Sequence, residues 1–325
     1  MMLRDPYGRL VDYLRVSVTD RCDLRCVYCM PPEGIPLKPV SEILTYDELV
    51  RTVRVAASLG VRKVRVTGGE PLVRRGIVSF VRRVAGIRGI RDLGMTTNGT
   101  ALSGMADPLR QAGLSRVNIS LDTIRRDRYA EITRRDSLPK VIEGIEAAIR
   151  AGLSPVKINV VLLHGLLRSE VDDFFTMARE MPVKVRFIER MPIGCSPSEA
   201  YVSAAGIRER ILALPGVREE RNGASSAAVT FEVPGFAGRL GIISPVSRKF
   251  CSDCNRLRVT ADGRLRTCLF GRETLDLRGV LRSGRGDDGV ADLFREAVRS
   301  KPRGHDLCAD GDLPSPAEPM SRVGG

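Results

Sequence analysis

Six of the eight cysteines fall into two triads. Cys22, Cys26 and Cys29 have Cys-x3-Cys-x2-Cys spacing within the loop Thr19-Asp20-Arg21-Cys22-Asp23-Leu24-Arg25-Cys26-Val27-Tyr28-Cys29-Met30. Such close spacing lets one loop wrap a cuboidal 4Fe-4S cluster, whose irons each take an external ligand, normally a thiolate. Three thiolates leave one iron open to a small molecule. The competing ligand is zinc, but a structural zinc takes a closed set of four donors, and no fourth Cys or His lies nearby in the chain. Cys251, Cys254 and Cys268 form the second triad, with Cys-x2-Cys-x13-Cys spacing. Half of a zinc ribbon is a stronger alternative there, because Cys195 or Cys308 could complete the four. Two triads, each one ligand short, are better explained by two clusters, which leaves Cys195 and Cys308 as ordinary thiols. The only histidines, His164 and His305, are far apart and read as structural.

Gly68-Gly69-Glu70-Pro71 marks a turn between a strand and a helix. Glycines there let the backbone approach a ligand, and Glu70 could accept a hydrogen bond from an ammonium group. Basic residues recur along the strand candidates: Arg15, Lys63, Arg65, Lys157 and Arg186, with Arg256 and Arg258 beside the second triad. A polyphosphate needs several such donors, and the guanidinium fork matches phosphate oxygens two at a time. Any one of them taken singly reads as an ordinary surface charge. As a set on strands with apolar neighbours, they point inward.

These residues need a scaffold. Up to about residue 190 the chain repeats a β-branched run, a short loop and an amphipathic segment, which is the signature of parallel βα units. Strands are expected over 14–18, 63–67, 92–96, 116–121, 155–162 and 184–188. Helices are expected over 46–59, 74–85, 105–112, 124–135 with 139–151, and 169–180. Six units make an incomplete TIM-like barrel with right-handed crossovers. The unusual residues, including Thr96-Thr97-Asn98-Gly99 and Ser120-Leu121-Asp122, cluster where strands end, on the face where parallel α/β sheets carry their sites. Beyond 190 the pattern changes to a smaller α+β region, with a hairpin at Asp262-Gly263. This divides the chain into 1–190 and 191–325. The stretch from Pro302 is rich in Pro, Gly and Asp and reads as a mobile tail.

At 325 residues, 43% hydrophobic and 28% charged, the composition is that of a soluble globular protein. No stretch approaches the ~18 apolar residues of a membrane span, and residues 1–14 hold no export signal, so a cytoplasmic location is expected. Cytosolic reductants disfavour disulfides, which leaves metal or catalytic roles for the cysteines. The net charge of +13 suits an anionic partner. Only seven of the 52 basic residues are lysine, so the charge equally fits a general arginine bias. There is no Trp and no long basic run, and a nucleic-acid partner is not expected.

Taken together, these motifs closely resemble the MoaA family, the radical S-adenosylmethionine (SAM) GTP 3′,8-cyclases that open molybdenum-cofactor biosynthesis. The resemblance rests on Arg-Val-Ser-Val-Thr-Asp-Arg-Cys at 15–22, Arg-Val-Thr-Gly-Gly-Glu-Pro-Leu at 65–72, Thr-Thr-Asn-Gly at 96–99, Asn-Ile-Ser-Leu-Asp at 118–122, Arg-Phe-Ile-Glu at 186–189, Cys-x2-Cys-Asn-Arg-Leu-Arg at 251–258 and the terminal Gly324-Gly325. It implies a partial (β/α)6 barrel, with a C-terminal domain carrying a second 4Fe-4S cluster, and SAM on the open iron of the first. It implies a lyase that takes the ribose 3′ hydrogen of GTP with a 5′-deoxyadenosyl radical and closes C3′ onto C8. Tyr28, Gly69, Ser120 and Met191 would contact SAM, with Glu70 near its amine. Arg15, Arg65, Thr96, Lys157, Arg256 and Arg258 would contact GTP, and Lys63 and Arg186 are further phosphate or catalytic candidates. Gly324 and Gly325 would thread into the cavity. An external electron donor and a downstream cyclic pyranopterin monophosphate synthase are the implied partners, and a homodimer is left open. Two other readings stay open at this point: a radical SAM enzyme acting on a peptide, and a metal-bearing nucleic-acid binder.

Overall fold

The computed structural model describes residues 2–165, 168–191, 201–220, 226–271, 273–305 and 320–323. Twelve strands form one continuous sheet: β1 (Tyr13–Ser17), β2 (Lys63–Thr67), β3 (Asp92–Thr97), β4 (Arg116–Ser120), β5 (Val156–Leu162), β6 (Val183–Glu189), β7 (Arg218–Glu220), β8 (Val229–Glu232), β9 (Arg239–Ile243), β10 (Arg256–Val259), β11 (Arg264–Arg266) and β12 (Thr274–Asp276). Between them run helices α1 (Tyr46–Ser58), α2 (Ile77–Ala85), α3 (Ala106–Gln111), α4 (Arg126–Thr133), α5 (Leu138–Arg150), α6 (Arg168–Glu180), α7 (Ala205–Leu212), α8 (Leu277–Arg282), α9 (Gly286–Arg299) and the short α10 (Met320–Val323).

The six expected strands stand side by side and parallel in the order β1 to β6, as βα units require. The expected 63–67 strand is observed with those bounds, and the other five differ by a residue or so at one or both ends. Their sequences alternate because the two faces meet different surroundings. In β5, Val156, Ile158, Val160 and Leu162 are buried in the apolar core, while Lys157, Asn159 and Val161 face a central cavity. The helices supply the apolar counterpart. In α2, Ile77, Phe80, Val81 and Val84 are at most 1% exposed, each contributing about 1.5–3 kcal/mol by burial. α1 begins with a reciprocal cap between Thr45 and Glu48, and its Tyr46 ring stacks on Phe80 at 4.8 Å.

The C-terminal part departs from an appended unit. β10 pairs parallel with β1, with Tyr13 opposite Arg256 and Arg15 opposite Arg258, and β9 pairs parallel with β6. Eight neighbouring strands therefore run parallel, and antiparallel β11–β12 and β8–β7 extend the two edges. The expected division at 190 does not coincide with a break in the sheet. The Asp262-Gly263 turn joins β10 to β11, with Gly263 at φ 80°, where a side chain is disfavoured.

Candidate active site

The loop after β1 carries the first triad and is tied to three neighbours. Val18 N–H donates to Thr67 O (2.9 Å), Gly69 N–H to Thr19 O (2.8 Å) and Glu70 N–H to Arg21 O (2.7 Å). The fit is so close that a Cβ on Gly69 would stand 2.3 Å from Arg21 O, and one on Gly68 2.8 Å from Thr19 O. The glycines thus let the cluster loop lie on the β2 turn. On the other side Arg25 N–H and Val27 N–H donate to Thr133 O and Ile132 O, at the end of α4. Arg134, in the left-handed conformation at that helix end, reaches Arg25 O and Met30 O. Asp23 accepts from Asn98 Nδ2 (2.7 Å) and Thr100 Oγ1 (2.6 Å), which fastens the loop to the end of β3.

Glu70 is turned into the protein at the ends of β2 and β3. It is 1% exposed, and its carboxylate accepts from Leu72 N–H (2.9 Å), Thr97 Oγ1 (2.7 Å) and Asn98 N–H (2.6 Å). Both oxygens accept from within the protein and the side chain is absent from the cavity wall, so it braces the ends of β2 and β3. Burial raises its pKa to about 7, against the pull of those three donors. Tyr28 does face the cavity, with its hydroxyl donating to Asp122 Oδ2 (2.7 Å); Asp122 Oδ1 accepts from Val161 N–H (2.8 Å).

A single cavity of about 750 Å³ runs through the barrel, and Cys22, Cys26 and Cys29 line it together with Cys251, Cys254 and Cys268. Burial pushes the Cys22 thiol up to about 12. Burial would also raise Cys254, but Lys301 and Arg256 hold it below the ordinary thiol value. Among the described residues no three His, Cys, Asp or Glu side chains gather around a single-ion site. Cys195 and Cys308 lie outside the described residues, as do Gly324 and Gly325. Of the tail, Met320 lines the cavity and Val323 is fully buried.

The expected SAM contacts Gly69, Ser120 and Met191 line the same space, and so do Arg15, Lys63, Arg65, Thr96, Lys157, Arg186, Arg256 and Arg258. Strand register explains the convergence: Arg15 lies between Arg65 on β2 and Arg258 on β10, and Lys157 lies next to Lys184. Cations crowded in this way destabilise one another. Burial and then Arg186 and Arg116 lower Lys157 to about 7, and burial followed by Arg65 lowers Arg186 to about 9. A polyanion would relieve that repulsion. Thr96 Oγ1, Asn118 Oδ1, Arg116 Nε and Arg186 Nε are buried without a hydrogen-bond partner, a pattern suited to a polar occupant.

Sequence reasoning missed Tyr13, Arg116, Lys184 and His305, all on the cavity wall. Tyr13 accepts from Arg65 Nε (3.0 Å); burial would raise its phenol, but Arg65 and Arg15 bring it down to about 7. Arg116 ion-pairs with Asp92, and a Cβ on intervening Gly94 would meet Arg65 Nη1 at 3.0 Å and Arg116 Cγ at 3.3 Å. The missing side chain at Gly94 gives both arginines their room. Period-two counting would have found them, since Tyr13 precedes Arg15 by two and Arg116 precedes Asn118 by two.

Two family profiles cover most of the chain: the radical SAM superfamily over residues 16–178 and Molybdenum Cofactor Synthesis C over residues 183–307. The GTP 3′,8-cyclase of Moorella thermoacetica (strain ATCC 39073 / JCM 9320) is 45% identical over 326 residues, covering 99% of this chain and 100% of that protein. The chain belongs to the GTP 3′,8-cyclase family of radical SAM enzymes. The GTP 3′,8-cyclase of Pelotomaculum thermopropionicum (strain DSM 13744 / JCM 10971 / SI) is 48% identical, covering 94% of this chain and 95% of that one. Among solved structures, Streptococcus suis SuiB bound to S-adenosylmethionine superposes with a TM-score of 0.61 at 14% identity, covering 89% of this chain and 69% of that chain. That likeness speaks for the barrel alone, so the peptide-acting alternative gains nothing from it. As a GTP 3′,8-cyclase family member the chain takes 4Fe-4S clusters and SAM as cofactors. No helix among the described residues is long and apolar enough to cross a membrane.

Proposed function

We propose that this chain cyclises GTP to (8S)-3′,8-cyclo-7,8-dihydroguanosine 5′-triphosphate, the first step of molybdenum-cofactor biosynthesis, inside the cavity that the two triads share. One observation carries the reading: both triads and the basic wall line a single space. When bound, the first cluster and SAM would supply the 5′-deoxyadenosyl radical that takes the ribose 3′ hydrogen; C3′ then bonds to C8 of guanine, and one further electron from the external donor and a proton complete the closed-shell 7,8-dihydro product.

The protein's own part is positioning and exclusion. Cys22, Cys26 and Cys29 would hold the first cluster, with Tyr28, Gly69, Ser120 and Met191 around SAM. Arg15, Arg65, Lys157, Arg256 and Arg258 would grip the triphosphate, helped by Thr96; charge-assisted bonds of this kind are roughly twice as strong as neutral ones. Lys63, near Asp12 at 4.0 Å, and Arg186, whose guanidinium donates to Asn159 Oδ1, are the cations placed to steady charge on the substrate. Cys251, Cys254 and Cys268 would hold the second cluster at the substrate's other end. Val161, Ile188, Leu240 and Ile243 give the wall an apolar lining that keeps water from a reactive carbon. An external one-electron donor and a downstream enzyme forming cyclic pyranopterin monophosphate complete the proposal, in the cytoplasm.

The test is an anaerobic turnover of the reduced, reconstituted protein with SAM and 3′-deuterio-GTP. Deuterium is expected in the 5′-deoxyadenosine released. Its absence, with GTP consumed, sinks the assignment.

A further inference from the structure

The segment after α9, residues 301–305, lies across the second triad. Lys301 is 3% exposed, and its ammonium donates to Arg256 O (2.8 Å) and Thr267 O (2.7 Å), the first two residues beyond Cys254 and the second immediately before Cys268. The same ammonium reaches the Cys254 sulfur. Cys251 is fastened from another side. Arg9, fixed by Asp5 at 2.5 Å, donates to Cys251 O (2.6 Å), Pro302 O (2.5 Å) and Arg303 O (2.9 Å). The backbone of His305 bonds the Cys251 thiol, and a Cβ on Gly304 would stand 3.7 Å from that sulfur.

Two carbonyls and the Cys254 sulfur take the three hydrogens of the buried ammonium, but the carbonyls do not neutralise its charge. Leaving such a charge uncompensated is strongly unfavourable, and among the described residues no carboxylate pairs with Lys301. The anionic groups at hand are the thiolates that Cys254 and Cys268 become as ligands. A carbonyl clamp alone would not need a cation, since a neutral amide could bridge the same two oxygens.

We infer that Lys301 is a positioning residue of the second cluster: it ties the segments bearing Cys254 and Cys268 together and supplies the counter-charge that retains the cluster and raises its reduction potential. A cation beside a cluster favours its more negative, reduced level, so removing it lowers the potential. The inference rests on the second triad holding a cluster.

The experiment uses the full chain with Cys22→Ala, Cys26→Ala and Cys29→Ala, reconstituted anaerobically, so that about four iron per chain report the second cluster alone. Into this parent go Lys301→Gln, which keeps donors for the two carbonyls without the charge, and Lys301→Arg, which restores it. The readouts are iron and sulfide content, the rate of iron loss to a chelator, and the midpoint potential from an EPR-monitored titration. The Gln variant is expected to lose iron at least tenfold faster and to titrate at lower potential, and the Arg variant to recover both. Parent-like potential and iron loss in the Gln variant overturn the inference. If the Gln variant does not fold, the Arg variant decides: failure to match the parent in iron and potential overturns it. A parent that holds no iron defeats the premise of a second cluster, and the role of Lys301 with it.

Discussion

Gly69→Ala isolates the contact between the β2 turn and the first cluster loop. The added methyl would lie 2.3 Å from Arg21 O and 2.6 Å from Arg21 C, both backbone atoms, where ordinary contact begins at 3.4 Å. No rotamer change can relieve this, so the loop must retreat by about 1 Å at the residue before Cys22. Overpacking of this kind costs about 1–3 kcal/mol, and strain against backbone belongs at the upper end. The larger effect is on chemistry, because a displacement of about 1 Å at a reacting centre costs on the order of 10²-fold in rate. The assay is anaerobic release of 5′-deoxyadenosine from SAM, with iron per chain measured in parallel. Gly104→Ala is the control, since nothing lies within 4 Å of a Cβ there. The expected outcome is SAM cleavage reduced by about a hundredfold in Gly69→Ala and unchanged in the control. Wild-type cleavage with full iron in Gly69→Ala would refute the argument that the glycine exists for this contact.

Cys251→Ala should leave SAM cleavage measurable while GTP cyclisation is lost; full cyclisation would show that the second triad is structural. Lys157 is held near 7 by burial and then by Arg186, so at pH 8 it is largely neutral, and a bound triphosphate would restore its proton. GTP binding at pH 8 is therefore expected to take up a proton at Lys157 and to weaken as pH rises above 7, which calorimetry in buffers of different ionisation enthalpy would read; uptake unchanged in Lys157→Met would contradict it. Arg116→Gln should weaken GTP binding about tenfold, the loss of one charge-assisted bond, and Asp92→Asn, which frees Arg116 from its ion pair, should tighten it. Unaltered affinity in both variants rules Arg116 out as a phosphate contact.

The β1 to β6 walls were legible because each is a short β-branched run whose alternate residues meet a packed helix layer and a polar cavity; Lys157 and Asn159 interrupt Val156, Ile158 and Val160 for that reason. The cysteine triads were legible because their spacing is local. Pairing of β10 with β1 joins residues more than 240 apart, and nothing in Arg256-Leu257-Arg258-Val259 names its partner. The bracing role of Glu70 was not legible, because the sequence cannot tell a carboxylate turned into Leu72, Thr97 and Asn98 from one turned outward. Arg116 escaped notice in a chain where arginine is common, although it shares the inward face of β4 with Asn118 and Ser120. Lys301 lay just before a stretch read as mobile, and only its burial distinguishes it.

The pairing of β9 and β10 with opposite edges of the six-strand wall has a consequence for how the chain comes into being. During synthesis β1 through β6 emerge first, with the backbone groups of β1 and β6 open to any other strand until residues near 240 and 256 have left the ribosome. Closing a loop that long is slow, so the nascent barrel passes through an interval in which edge-to-edge association competes with completion. The segment that brings the second cysteine triad also seals one of these edges, so a chain cut short near Glu189 is expected to be a sticky half-barrel.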